Sequence, residues 1–365
     1  MQAFGLADAS VAAATVLNSV PIPAPNSIFD RYAPLPLRAS CEVLISVQFS
    51  SVNPSDLHPT VALNDSYPKP LGSDVAGCIV AVNNRHGASK CKSGLSIGDC
   101  VWGDIGANTH VGGQKTKELG GYSQFAIALD TQLALTPVGM PMQVAGSLPK
   151  VALTSLKAFD WYAGYPRRGD GANVLILGGS SGTGLAGIQL ARYYNASSIT
   201  TTTSAQNFDL VREFGATAAI DYHTTNWWEA VPDGSQDFVY DCVDEGQEGK
   251  FTGDRAVRKL RPGGSYVTIV GALAKGPLPP NVTQHMFINS DTNLNSVDLL
   301  KKLSWIAEGR HLRMPVDSTF DLSDVGSGFN RSATRHSVGK ISIRVPAPTD
   351  EQKQVAATLW RVRRS

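Results

Sequence analysis

The spacing of apolar positions changes at about residue 148. Before that point, 41–47 alternates apolar with polar residues and 75–82 is a nearly continuous apolar run, while Gly, Pro and Asn interrupt often. The first pattern predicts a half-buried strand, the second a fully buried one, and together they predict a β-rich region. The segment 103–121 holds six glycines and few apolar residues, which predicts a mobile surface loop. After residue 148, short apolar runs at 173–177, 198–203, 218–221, 238–242 and 265–270 read as strands. Between them, 184–195 is apolar at Leu185, Ile188, Leu190 and Ala191, and 206–214 at Phe208, Leu210, Val211 and Phe214, so both suit helices. Strands alternating with helix-length segments predict a parallel sheet covered on both faces, hence an α/β architecture. Further on, 297–308 reads as a helix and 318–320 and 340–345 as strands.

Composition narrows the function. Thirty-two basic against 31 acidic residues leave a formal charge of +1, so nucleic acid and acidic membrane surfaces are not expected as partners. No apolar run approaches the roughly 20 residues needed to cross a bilayer. The five cysteines, Cys41, Cys78, Cys91, Cys100 and Cys242, are odd in number and lack C-x-x-C spacing, which predicts reduced thiols. The first residues carry neither a basic nor an Arg-rich amphipathic leader, so a cytoplasmic protein is expected.

The richest motif is 174–187, VLILGGSSGTGLAG, a strand running through a glycine turn into a helix. Gly182, Gly184 and Gly187 form a literal G-x-G-x-x-G, and Gly179, Gly182 and Gly184 offer a second register. Glycines suit such a turn because a Cβ would block a pyrophosphate from reaching the helix N-terminus. The second strand ends Thr202-Thr203-Ser204, without the carboxylate that would grip a ribose 2′-hydroxyl. Hydroxyls accept a 2′-phosphate where a carboxylate would repel it, so NADPH is favoured over NADH.

Several ordered motifs resemble those of the medium-chain dehydrogenase/reductases, in their zinc-independent quinone oxidoreductase and enoyl reductase branch. These are VNPSD at 52–56, YPKPLGSDVAG at 67–77, GDCV at 98–101, LPKVALT at 148–154, DCV at 241–243, Gly263-Gly264 and Gly339-Lys340. The resemblance implies a GroES-like β-rich domain over 1–147, a Rossmann domain over 148–300, and a segment 301–365 returning to the first, with cofactor and small-molecule substrate in the cleft between them. It also implies a homodimer. Zinc enzymes of the superfamily carry Cys where Asn53 stands and a His-Glu pair where Ser73-Asp74 stands, so no metal is expected. Without a metal to polarise a carbonyl, hydride passes more readily to the β-carbon of an enone, enal or enoyl group, or to a quinone. One-electron quinone reduction and a non-catalytic NADPH-binding partner protein are the alternatives.

Carried over residue by residue, the resemblance gives Gly179, Ser180, Ser181, Gly182, Thr183 and Gly184 the pyrophosphate. Thr203, Ser204 and Tyr222 flank the adenosine 2′-phosphate, with Asn207 standing where many relatives carry a phosphate-binding Lys. Val243, Gly271 and Ala272 line the nicotinamide, with Gly339 and Lys340 near the cofactor, unless Lys340 is merely solvated. Asn53, beside Pro54, either bonds the nicotinamide ribose or substrate oxygen or caps a turn. Thr154 contacts cofactor or caps a helix, and Tyr67 donates to a developing oxyanion or only packs. Asp56 and Asp74 are expected to hold loops, and His58 to be exposed.

Overall fold

The structure is a computed structural model that describes residues 1–7, 14–25, 28, 41–57, 68–84, 91–111, 114–165, 171–243 and 252–361. The chain divides into two compact units. The first comprises Met1–Lys150, Ser290–Gly309 and Pro315–Ser365, the second Val151–Asn289 and Arg310–Met314.

The second unit is built on the strand Asn173–Leu177, whose Val174, Leu175, Ile176 and Leu177 are all fully buried. A strand apolar on both faces belongs in the middle of a covered parallel sheet. It pairs in parallel with Ser198–Thr203 on one side and Gln236–Asp241 on the other. Ala218–Asp221 extends the first side, and Leu260–Thr268 and Thr283–Met286 the second, all in parallel. Numbered along the chain, the six strands lie in the order 3-2-1-4-5-6 of a dinucleotide-binding Rossmann sheet. The threonine run does more than favour β structure: Thr201 donates its hydroxyl to the Ile176 carbonyl at 2.7 Å, and Gly178 N–H donates to Thr202 Oγ1 at 2.9 Å. Buried hydroxyls thus stitch the second strand to the first and to the turn that follows it.

The first unit centres on Cys41–Ser51, which pairs antiparallel with Asp74–Asn84, Phe125–Leu129 and Lys340–Arg344. The strand Lys340–Arg344 joins this sheet from the far end of the sequence, with Val316–Asp321 parallel beside it. The return to this unit begins at Ser290 because Asn293 donates to the Asp104 carbonyl at 2.6 Å and Ser296 N–H to the Thr131 carbonyl at 2.8 Å. No helix among the described residues is long and apolar enough to cross a membrane.

Two expectations are corrected. The stretch 103–121 is not an open loop: Cys100–Asp104 is a sheet strand, and Ala107–Val111 pairs with Gln114–Glu118 in a hairpin. Gly120 and Gly121 serve close backbone approach instead, their N–H groups both reaching the Gly72 carbonyl at 2.9 and 2.8 Å. Four of the cysteines are also not free thiols. Cys41 bonds Cys91, and Cys78 bonds Cys100, which lies directly opposite it on the paired strand. Sequence separations of 50 and 22 conceal what strand pairing brings together, and the thiol count no longer argues for a reducing compartment.

Candidate active site

The Rossmann unit carries a phosphate cradle. Leaving the strand Asn173–Leu177, the chain turns at Gly178, whose φ of +83° is strained for any side chain, and whose missing Cβ would lie 2.3 Å from Val243 Cγ1. Ser181 caps the helix Gly182–Tyr193: its hydroxyl accepts from Gly184 N at 3.0 Å and donates to the Gly178 carbonyl at 2.7 Å. A Cβ on Gly184 would sit 2.1 Å from the Gly178 carbonyl oxygen, so the helix start and the turn are in backbone contact. The literal motif therefore falls wholly within the helix, and Gly178 and Gly179 make the turn. Gly187 faces the Tyr240 ring, where a Cβ would be 3.1 Å from Cδ1, and sets the closeness of helix to sheet. A helix start offers N–H groups without intrahelical acceptors and a positive dipole end, a donor set that fits a pyrophosphate.

At the end of the second strand, the hydroxyls converge. Thr203 Oγ1 donates to Ser180 Oγ at 2.9 Å, and Ser204 Oγ to the Tyr222 hydroxyl at 3.1 Å. His223, which sequence reasoning missed, lies against Tyr222 with ring centroids 4.2 Å apart and planes 40° to each other, and places Nε2 3.5 Å from Ser204 Oγ. No signal in the local sequence marks it, because the contact joins the ends of two neighbouring strands.

Across the switch point, Asp241 is fully buried and accepts from the Tyr266 hydroxyl at 3.0 Å, Thr268 Oγ1 at 3.1 Å and Val243 N–H at 3.1 Å. It thereby fixes the two strand ends from which Val243 and Gly271-Ala272 emerge. Gly271 N–H donates to Thr268 Oγ1 at 2.7 Å. Val243, Val270 and Leu273 are exposed apolar side chains at this edge, a surface suited to a flat, weakly polar ring. Thr154 lies inside the helix Pro149–Lys157, nearly buried, so it does not cap that helix.

The first unit holds a buried polar network around Asn53. Lys340 is not solvated: it is 5% exposed, and its Nζ donates to Asn53 Oδ1 at 2.7 Å and to the Val52 carbonyl at 2.8 Å, with Asp74 Oδ2 at 3.8 Å. Asn53 Nδ2 donates to Asp74 Oδ2 at 2.8 Å, so both ends of its amide are engaged within this unit. Asp74 also accepts from Ser51 Oγ at 2.6 Å and from Lys150 N–H at 2.7 Å. Asp56 accepts from Ser73 Oγ at 2.5 Å and from the Tyr122 hydroxyl at 2.8 Å, and Lys150 Nζ donates to Asp104 at 2.9 Å. Sequence reasoning missed Tyr122, Asp104 and Lys150. Burial lifts the Asp74 carboxyl above its usual range against the pull of Lys340, and burial holds Lys340 below the usual lysine range against the pull of Asp74. Burial also disfavours the Lys150 ammonium, but Asp104, Asp56 and Asp74 outweigh it and raise its pKa. Burial and the adjacent Asp56 hold Tyr122 far above the ordinary phenol range, so it donates a hydrogen bond and keeps its proton.

Pro54 opens the short turn Pro54–Leu57, and Gly339 precedes Lys340 with φ +75°, where a Cβ would lie 2.3 Å from the Pro315 carbonyl oxygen. Tyr67 and His58 lie outside the described residues. Among the described residues, one group of three His, Cys, Asp or Glu side chains is close enough to share an ion, Cys41, Cys91 and Asp130, and its two cysteines are bonded to each other.

The chain is similar to known proteins in both units. Residues 39–138 match the profile of an alcohol dehydrogenase GroES-like domain, and residues 214–343 that of a zinc-binding dehydrogenase. A 2-methylene-furan-3-one reductase of Solanum lycopersicum is 30% identical, the match covering 84% of this chain and 72% of that protein. An NADPH-dependent alkenal/one oxidoreductase of Arabidopsis thaliana, chloroplastic, is 29% identical over 83% of this chain and 72% of its own. The fold matches that of the quinone oxidoreductase from Coxiella burnetii with a TM-score of 0.69, at 21% identity, over 94% of this chain and 98% of the other. Its glycine turn, its sheet order and this breadth of similarity place the chain in the medium-chain dehydrogenase/reductase family, in the quinone oxidoreductase and enoyl reductase branch.

Proposed function

We propose that the protein is an NADPH-dependent reductase that delivers hydride to the β-carbon of an activated alkene, or to a quinone, without a metal. The observation that carries this reading is the Rossmann cradle ending in hydroxyls rather than a carboxylate, Ser180, Thr203, Ser204 and Tyr222, in a chain whose relatives are named as enone and alkenal reductases. Bound NADPH supplies the hydride; every other part of the task falls to the chain.

Ser180, Ser181, Gly182 and Thr183 present the turn and helix start to the pyrophosphate, and Thr203, Ser204 and Tyr222 meet the 2′-phosphate. Val243, Gly271 and Ala272 give the nicotinamide ring an apolar wall held in place by Asp241. Lys340 and Asn53 act as positioning residues, the ammonium fixing the amide and the amide fixing Asp74. Metal independence belongs to the same proposal: an amide, a hydroxyl, one carboxylate and an ammonium at positions 53, 73, 74 and 340 form a poor ligand set for zinc.

The test is NADPH oxidation with a conjugated enone and with its saturated ketone, each with and without a metal chelator. Turnover of the enone alone, unaffected by chelator, is expected. Turnover of the saturated ketone that the chelator abolishes would overturn the proposal.

A further inference from the structure

The exposed end of the second strand lacks the basic residue that a phosphate site ordinarily uses. No Lys or Arg lies within 201–207, where Ser204 and Asn207 follow the threonines. A pocket made only of hydroxyls binds a dianion weakly, since charge-assisted bonds are roughly twice as strong as neutral ones. Among the described residues, the structure brings an imidazole to this place from the end of the next strand. His223 follows Ala218–Asp221, is exposed, lies tilted against the Tyr222 ring, and holds Nε2 3.5 Å from Ser204 Oγ, while Ser204 donates to the Tyr222 hydroxyl. A serine hydroxyl, a phenol and an imidazole thus surround one solvent-facing point.

Resting on the NADPH reading above, we propose that His223 is the specificity-determining residue for the 2′-phosphate, its imidazolium supplying the missing cation, so that preference for NADPH over NADH depends on pH. Imidazole is the side chain that changes charge between about pH 5 and 8. Among the described residues, the ionisable groups around it are few. Asp221 Oδ1 accepts the His223 backbone N–H at 3.0 Å. The helix Phe208–Phe214, packed on the same strand, carries Asp209, Arg212 and Glu213; Arg212 lies 3.7 Å from Asp209, and Glu213 pairs with Arg313. The second strand brings no charge to the point. A phosphate monoester is a monoanion below roughly pH 6 and a dianion above it, so a charged ring faces a negatively charged phosphate on the acidic side of neutrality. NADPH should bind best there and weaken as the ring deprotonates. NADH, with a hydroxyl in place of the phosphate, should be indifferent.

The experiment is calorimetric titration of the full chain and of His223→Gln with NADPH, NADH and adenosine 2′,5′-bisphosphate at roughly pH 6.5 and 8.5. In the parent, NADPH and the bisphosphate should weaken by about tenfold between the two, one charge-assisted bond's worth, with NADH unchanged. His223→Gln should show the weaker affinity at both values and retain NADH binding, which also reports an intact fold. Discrimination against NADH that is equal at both pH values and unaltered by the substitution would overturn this inference and leave the NADPH reading standing. Binding of neither dinucleotide to the parent would overturn both.

Discussion

Asp74 and Lys340 show how a single residue's placement can oppose its type. Each is at most 5% exposed, and each is the other's nearest compensation at 3.8 Å, with Asn53 bridging them through both ends of its amide. Burying a charge is unfavourable unless it is paired and hydrogen-bonded, and removing one partner of a buried pair costs about 3–5 kcal/mol because the other is stranded. Lys340→Met should therefore lower stability toward urea by about that amount, and adding Asp74→Asn should recover part of the loss rather than deepen it. Additive losses in the two variants would show that the pair is not coupled. A lysine at the start of a strand carries no sequence mark of burial, so only the fold exposes this role. The opposite holds for Gly178 to Gly184, where glycine and serine spacing made the turn legible and left only the register to the structure.

At the level of elements, the parallel strands could be read from their apolar runs because a strand covered on both faces leaves no polar position to blur the pattern. The hairpin within 103–121 could not, since glycines placed for backbone approach look like those of a loop. The helix Val325–Ala333 lies outside any sequence expectation and is tied to the strand Val316–Asp321 by one fork. Arg331 Nη2 reaches Asp317 Oδ1 at 2.7 Å and Arg331 Nε reaches Oδ2 at 2.9 Å. Arg331, then the N–H of Val338 and the hydroxyl of Ser318, hold the Asp317 carboxyl below the usual carboxylate range, against the effect of burial. A group whose folded pKa is depressed contributes stability above its unfolded pKa and loses it as pH falls through the folded value. Asp317→Asn should thus cost about 1 kcal/mol at neutral pH, a difference that shrinks as pH falls through and below the usual carboxylate range, seen as urea midpoints that converge on acidification. A constant difference across that range would remove the fork as its source.

Over the whole molecule, sequence reading recovered a β-rich unit and a Rossmann unit because apolar periodicity and an ordered set of motifs agree across nearly the entire chain. What it missed depends on contacts between residues distant in sequence: two disulfides, the Asp56–Asp74–Lys150–Lys340 network, and His223 beside Ser204. An alkene reductase and a carbonyl reductase differ in where hydrogen goes. NADPH carrying deuterium at nicotinamide C4, prepared separately on each face, should be given to the enzyme with a cyclic enone and the product analysed by NMR. Deuterium from one face is expected at the β-carbon of a saturated ketone, with the carbonyl intact. Deuterium on a carbinol carbon, or none in any product, would contradict alkene reduction.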